Sequence, residues 1–195
     1  MRLAADDVTR SLRASWRLLR AESQALPGFD LSRQGFWSSY AALLLTVPAM
    51  IPTLAAQRLL AHLPDGENLF AAPMLAASVA GAQLATILAV PLLLLALAPA
   101  MRRDPRFTGF VIAWNWSGVL AAGLMAVPAA VFAIGWSNPQ IAMFQSLGFA
   151  AIVLRLRYCV ARAAFGGGNG IAAAIACASA LADYAVLRTF GLAAF

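Results

Sequence analysis

The chain is poor in the side chains that carry most enzyme chemistry. It has one histidine, His62, and two cysteines, Cys159 and Cys177. Zinc sites draw three or four protein ligands from His, Cys and carboxylates, and no spacing of these residues supplies such a set, so no metal site is expected. Nor are there paired carboxylates on one helix face or a Ser/His/Asp arrangement, so hydrolysis has few possible actors. The chain reads as non-enzymatic and without a cofactor, and His62 as a solvated loop residue. Lysine is absent, so all 14 basic residues are Arg. Charge of either sign is scarce, at 11% of the residues. A nucleic-acid binder gathers basic residues on one soluble face, whereas here they alternate with hydrophobic runs. That spacing argues against a nucleic-acid partner despite the net charge of +6. Anionic lipid headgroups are the expected partner instead.

What the sequence does contain is apolar. Of 195 residues 62% are hydrophobic and the mean hydropathy is +0.78, well outside the range of a soluble domain. The fold class expected is all-α, a membrane bundle of five transmembrane helices over 29–195, preceded by a cytoplasmic amphipathic helix within 1–28. Met1 to Gly28 has no continuous apolar core followed by a small-residue cleavage site. Insertion is therefore expected to begin with the first span.

In the opening segment, Asp6 to about Ala21, a helical period puts Val8, Leu12, Trp16 and Leu19 on one side and Arg10, Arg13, Arg17 and Arg20 on the other. This pattern fits a helix lying in the membrane interface, with the four Arg on lipid headgroups. Docking of the apolar stripe on the protein itself is the alternative. Pro27-Gly28 ends the helix, and Asp30 or Ser32 can cap the next. Span 1 runs from about Phe36 to Leu60, with Pro48 and Pro52 loosening its middle. After a polar turn at Pro64-Asp65-Gly66, span 2 covers about Phe70 to Ala98, bending at Pro91. Its Ala77, Gly81 and Ala85 recur every four residues, a stripe that admits close helix approach.

Span 3 covers about Gly109 to Ile134 and carries Asn115 near its start. This amide needs a partner on another helix, as interhelical glue or as a solute contact. Ser137 or Asn138 then caps span 4, with Pro139 in its first turn. Pro139 to Phe195 reads as a helical hairpin folded at Gly166 to Gly170. That turn has neither a preceding strand nor a following Lys-Ser/Thr, so it is no phosphate loop. Cys159 and Cys177 stand nine residues either side of Gly168, but packed helix axes lie about 8–10 Å apart, too far for a disulfide. Both are expected as small buried hydrophobes.

Charged residues inside spans are functional candidates by default, and the hairpin has two, Arg155 and Asp183. Counted from Gly168 they lie 13 residues back and 15 forward, a depth difference of about 3 Å, so an ion pair between them is expected. Arg155 reaching the cytoplasmic headgroups is the competing account. Twelve Arg fall before span 1, between spans 2 and 3, or in the end of span 4, against two elsewhere. By the positive-inside rule the N-terminus is expected in the cytoplasm and the C-terminus outside.

Gly28-Phe29-Asp30-Leu31-Ser32 leading into Gly35-Phe36-Trp37, then Ala113-Trp114-Asn115-Trp116-Ser117 and Tyr158-Cys159-Val160-Ala161-Arg162, resemble the landmarks of a bacterial family of five-span membrane proteins sometimes labelled as transporters. The layout also resembles the Yip1 superfamily. The resemblance implies a multi-pass protein of the bacterial inner membrane that organises membrane or serves as a scaffold or accessory subunit of other membrane proteins. The alternative is a small-solute or ion transporter or channel using Asn115, Arg155 and Asp183.

Overall fold

The computed structural model describes residues 5–61, 72–97, 104–166 and 168–193. The turn with His62, Pro64, Asp65 and Gly66, the arginines Arg102 and Arg103, Gly167 and the terminal Phe195 lie outside the described residues. All regular structure among the described residues is helical: α1 (Ala5–Leu19), a 3-10 segment (Ser23–Gly28), α2 (Arg33–Ser39), a second 3-10 segment (Tyr40–Thr46), α3 (Val47–Leu60), α4 (Pro73–Leu97), α5 (Pro105–Ala133), α6 (Pro139–Phe165) and α7 (Asn169–Thr189).

Four segments are long and apolar enough to cross a membrane: Arg33–Leu60, Pro73–Leu97, Pro105–Ala133 and Asn169–Thr189. The shortest has 21 residues, about 32 Å of helix against a hydrocarbon core of about 30 Å. The expected count of five is thus met by four on length and apolarity. The remaining long helix, α6, carries Arg155, Arg157 and Arg162 in its second half.

Local chemistry explains the boundaries. Ser32 caps α2 by accepting from the Gly35 amide at 3.1 Å, and Asn138 caps α6 by accepting from the Ile141 amide at 2.8 Å. Asp104 caps α5 with Pro105 in the first turn. Gly166 closes α6 in the left-handed region at φ 58°, where a Cβ would be unfavourable. In the first membrane-length segment the expected loosening is the 3-10 stretch just before Pro48. There the Thr46 hydroxyl donates to the Leu43 carbonyl at 2.7 Å, so a backbone group takes a side-chain partner.

The helices form a closed ring. Helix α3 packs on α5, α5 on α6, α6 on α7, α7 on α4, and α4 returns to α3. Gly81 on α4 sits under the Phe190 ring, whose Cε1 would lie 2.5 Å from a Cβ built there. The small residue of that stripe therefore admits an aromatic ring, and Ala77 is exposed.

Helix α1 docks on the protein. Its buried face is Ser11, Ala14, Ser15, Leu18 and Leu19, set against α5, α6 and the 3-10 segment that follows it. Val8 and Leu12 are partly buried, but Trp16, expected on the same stripe, is 49% exposed. The reason is angular: the docked face centres between Ala14 and Leu18, and small Ser and Ala residues let the helix approach closely. Arg10, Arg13, Arg17 and Arg20 all remain exposed. Arg10 pairs with Asp7 at 2.6 Å and Arg17 with Glu22 at 2.7 Å.

Candidate functional site

The side chains singled out in the sequence go to different places. Asn115 is 1% exposed, and its Nδ2 donates to Ser39 Oγ at 2.9 Å. It links α5 to α2 as interhelical glue. Its Oδ1 has no hydrogen-bond partner among the described residues.

Arg155 does not meet Asp183. Its Nη1 donates to the carbonyl of Leu19, in the last turn of α1. Helix ends leave carbonyls without intrahelical donors and concentrate negative partial charge there. The neighbouring carbonyls of that turn are closed by the backbone: the amide of Ala21, at φ 64°, donates to Leu18, and that of Glu22 to Arg17. The guanidinium supplies the donor for Leu19 and ties α1 to α6.

The partner of Asp183 is Arg157, through Nη1 and Oδ2. Depth alone favoured Arg155, because Arg157 is 11 residues before Gly168 and Asp183 15 after it. That offset of about 6 Å along the axes is one a long Arg side chain spans. Position around the helix decides the matter. Residues two apart differ by about 200° around an α-helix, so Arg155 and Arg157 face opposite ways, the first to α1 and the second to α7. The same geometry corrects the expectation for the cysteines. Cys159 is buried, but Cys177 is exposed, because the packed face of α7 is Ala172, Ile175, Ala176 and Ser179. Both thiols are free.

Arg157 and Asp183 line a cavity of about 540 Å³ between the helices, to which α3, α4, α5, α6 and α7 all contribute and which opens outward at the exposed Leu147 of α6 and Tyr184 of α7. Its wall is mostly small and apolar, with Ala121, Ala122, Ala150 and Ala151 on facing helices. Five helices rich in Ala bring too little side-chain volume to fill the space between them. Besides the ion pair its polar side chains are Thr53, Gln57, Gln83, Thr86, Ser117 and Tyr184. The ion pair is largely enclosed, with side-chain exposures of 11% for Arg157 and 27% for Asp183. Asp183 Oδ1 is buried and has no hydrogen-bond partner among the described residues.

Trp114 fixes the arginine. The Arg157 Cζ lies 5.1 Å from the centroid of the Trp114 ring, a cation–π distance. The indole Nε1 in turn donates to the Ile87 carbonyl of α4 at 3.0 Å. That carbonyl is free because Pro91, four residues on, has no amide to offer it. A proline in α4, an indole on α5 and a guanidinium on α6 thus form one connected arrangement. Neither Arg157 nor Trp114 stood out as a solute-facing residue in the sequence. The available signal was the Ile87 carbonyl that Pro91 leaves without a donor, and the polar positions of α6 two residues apart.

At the other end of the cavity, Gln57 bonds the backbone of Ala193 twice, through Nε2 to the carbonyl at 2.9 Å and Oε1 from the amide at 3.1 Å. This pins the segment after α7 across α3. Among the described residues no group of three or more His, Cys, Asp or Glu could hold a metal ion.

Outside the membrane-length helices, hydrogen bonds from Ser32 hold the Asp30 carboxyl below the usual aspartate range, and those from Arg106 do the same for Asp104. Both carboxylates act at helix starts. No family model, curated protein or solved structure matches this chain.

Proposed function

We propose that this is a non-enzymatic, five-span protein of the bacterial inner membrane whose interhelical cavity binds a small solute, in the manner of a carrier. The cavity of about 540 Å³ with the Arg157–Asp183 pair in its wall is the observation that carries this reading. Its size falls within the usual range of ligand sites, about 300–1,000 Å³. Charges are expensive inside a membrane and are kept there where they face an interior cavity or each other.

The fifth span in this reading is α6. It lies antiparallel to α5 along its length, since Arg106 Nη1 near the start of α5 donates to the Phe165 carbonyl at 3.0 Å and a short turn joins the other ends. If α5 crosses the bilayer, α6 crosses with it, its Arg157 paired with Asp183 and its exposed Arg155 donating to the Leu19 carbonyl. With five spans, the Arg distribution favours an N-terminus in the cytoplasm and a C-terminus outside. A reporter fused at Phe195 that signals from the cytoplasm would refute this topology. Arg10, Arg13 and Arg17, exposed on α1, and Arg20 just after it suit contact with anionic headgroups.

The Yip1-like scaffold reading is supported by the structural use of Asn115 and Arg155, which tie helices together and leave the cavity to other residues. The two readings differ on whether the cavity communicates with water. In a Cys159→Ala, Cys177→Ser background, Ala122→Cys is expected to react with a small water-soluble thiol reagent. If Ala122→Cys stays unmodified while Trp136→Cys, at an exposed position between α5 and α6, reacts fully, the cavity is sealed and the scaffold reading prevails.

A further inference from the structure

We infer that the cavity binds a monocarboxylate with an apolar body, and that one proton enters with it and settles on Asp183. This rests on the solute-binding reading above and specifies its chemistry. The inference follows from charge balance. Of the charged residues on α3 to α7 that the structure describes, only Arg157 and Asp183 line the cavity, and Tyr184 is its one other titratable group. Helix α4, which packs on α7 beside Asp183, carries no charged residue. Trp114 approaches from α5 with a ring, and Arg155 on α6 is turned to Leu19. Among the described residues the cavity wall thus carries one positive and one negative charge, which neutralise each other.

A charged ligand must seat beside this largely buried pair without leaving a net charge there, because an unbalanced ion next to it is strongly disfavoured. The two members of the pair differ in what they can give up. A guanidinium stays protonated at any relevant pH, whereas a carboxylate can take a proton. An entering carboxylate can therefore replace Asp183 at Arg157, with a proton from water forming an O–H bond on Asp183. Before binding, the site holds Arg157⁺ and Asp183⁻. After binding it holds Arg157⁺, the ligand carboxylate and neutral Asp183, so the charge is unchanged. No bond breaks apart from the one that releases the proton in water. An ammonium ligand has no such route, since binding at Asp183 would leave Arg157 beside a second cation with no proton that either could readily lose. A dianion would need two compensating protons and finds one acceptor.

The geometry supplies both halves of the exchange. Arg157 is held by the Trp114 ring independently of Asp183, so it keeps its place when the carboxylates exchange. Asp183 Oδ1, buried and without a hydrogen-bond partner among the described residues, is an oxygen on which the proton can sit. The Ala-lined remainder of the cavity accepts the apolar body.

Octanoate, octylamine and octanol serve as probes on the full-length protein in lipid nanodiscs, with empty nanodiscs subtracted. Calorimetry at pH 7 in phosphate and in Tris reads protons taken up per ligand from the difference in buffer ionisation heats. The expected result is about one proton per octanoate and a Kd that rises about tenfold per pH unit, which is the dependence one linked proton produces. Octylamine is expected to bind more weakly than octanoate. Asp183→Asn, which mimics the protonated side chain, is expected to bind octanoate without proton uptake and without the pH slope. Arg157→Gln is expected to lose octanoate while keeping octanol. Octanoate binding to the unaltered protein with no proton uptake would overturn the inference, as would octylamine binding more tightly than octanoate. Binding of octanol without octanoate would overturn it too, yet leave the cavity reading intact, whereas an unreactive Ala122→Cys removes both.

Discussion

Replacing Trp114 by Phe removes one hydrogen bond whose partner was made available by a proline on a different helix. In α4 the Ile87 carbonyl would ordinarily accept from the amide of residue 91, but that residue is Pro91. The Trp114 indole fills the gap at 3.0 Å, and Trp114 is buried at 4% exposure. Trp114→Phe leaves a buried carbonyl unpaired, which costs about 1–3 kcal/mol. Weaker cation–π contact with Arg157 adds about 0.5–1 kcal/mol. The loss of stability expected is therefore about 1.5–4 kcal/mol. The hydrogen-bond share can be isolated. In a Pro91→Ala background the restored amide can serve Ile87, so Trp114→Phe should cost about 1 kcal/mol less there than in the native background. Thermal unfolding in mild detergent of the two single variants and the double variant completes the cycle. Equal costs of Trp114→Phe in both backgrounds would refute the pairing of the proline gap with the indole.

A second cycle addresses the ion pair. Arg157→Gln and Asp183→Asn should each destabilise the bundle and be clearly non-additive together, whereas Arg155→Gln and Asp183→Asn should add, a contrast unfolding in detergent reads directly. At the start of α2 a Cβ on Gly35 would lie 1.9 Å from the Asp30 carbonyl oxygen. Gly35→Ala should therefore cost about 1–3 kcal/mol, visible as a lower melting temperature, and an unchanged one would count against that close approach. The Asp30 and Asp104 carboxyls have depressed pKa values, so their contribution is complete above the ordinary aspartate pKa and is lost as pH falls through the depressed values. Asp30→Asn with Asp104→Asn should accordingly narrow the stability gap to the unaltered protein in acid, and a gap independent of pH would contradict this.

Much of the fold was legible because it rests on local chemistry. Long apolar runs marked the membrane-length helices, and Ser32, Asn138 and Gly166 marked ends through hydrogen bonds and backbone angles that involve only near neighbours. Position around a helix was harder to read. Arg155 and Arg157 lie at similar depth, and only knowing which side of α6 faces α7 and which faces α1 separates them. On α1 the row of arginines was plain, yet the buried stripe runs through Ser11, Ala14 and Ser15, residues too small to register as hydrophobic. The cavity left no mark in the sequence, since helices rich in Ala can close on one another or stand apart, and the outcome depends on the order of helices around the ring. Trp114 was visible in the sequence only as a neighbour of Asn115. Its bond to Ile87 was not, because the link to Pro91 joins residues on different helices.

The claim on which the rest depends is that a solute occupies the space beside Arg157. In the background free of native cysteines, the rate at which a small thiol reagent modifies Ala122→Cys should fall at least about tenfold in saturating octanoate, the protection expected when roughly nine-tenths of the sites are filled. Trp136→Cys should react at an unchanged rate, and Arg157→Gln should abolish the protection. An Ala122→Cys rate that is the same with and without octanoate, in a protein whose Arg157 and Asp183 are intact, would contradict the account.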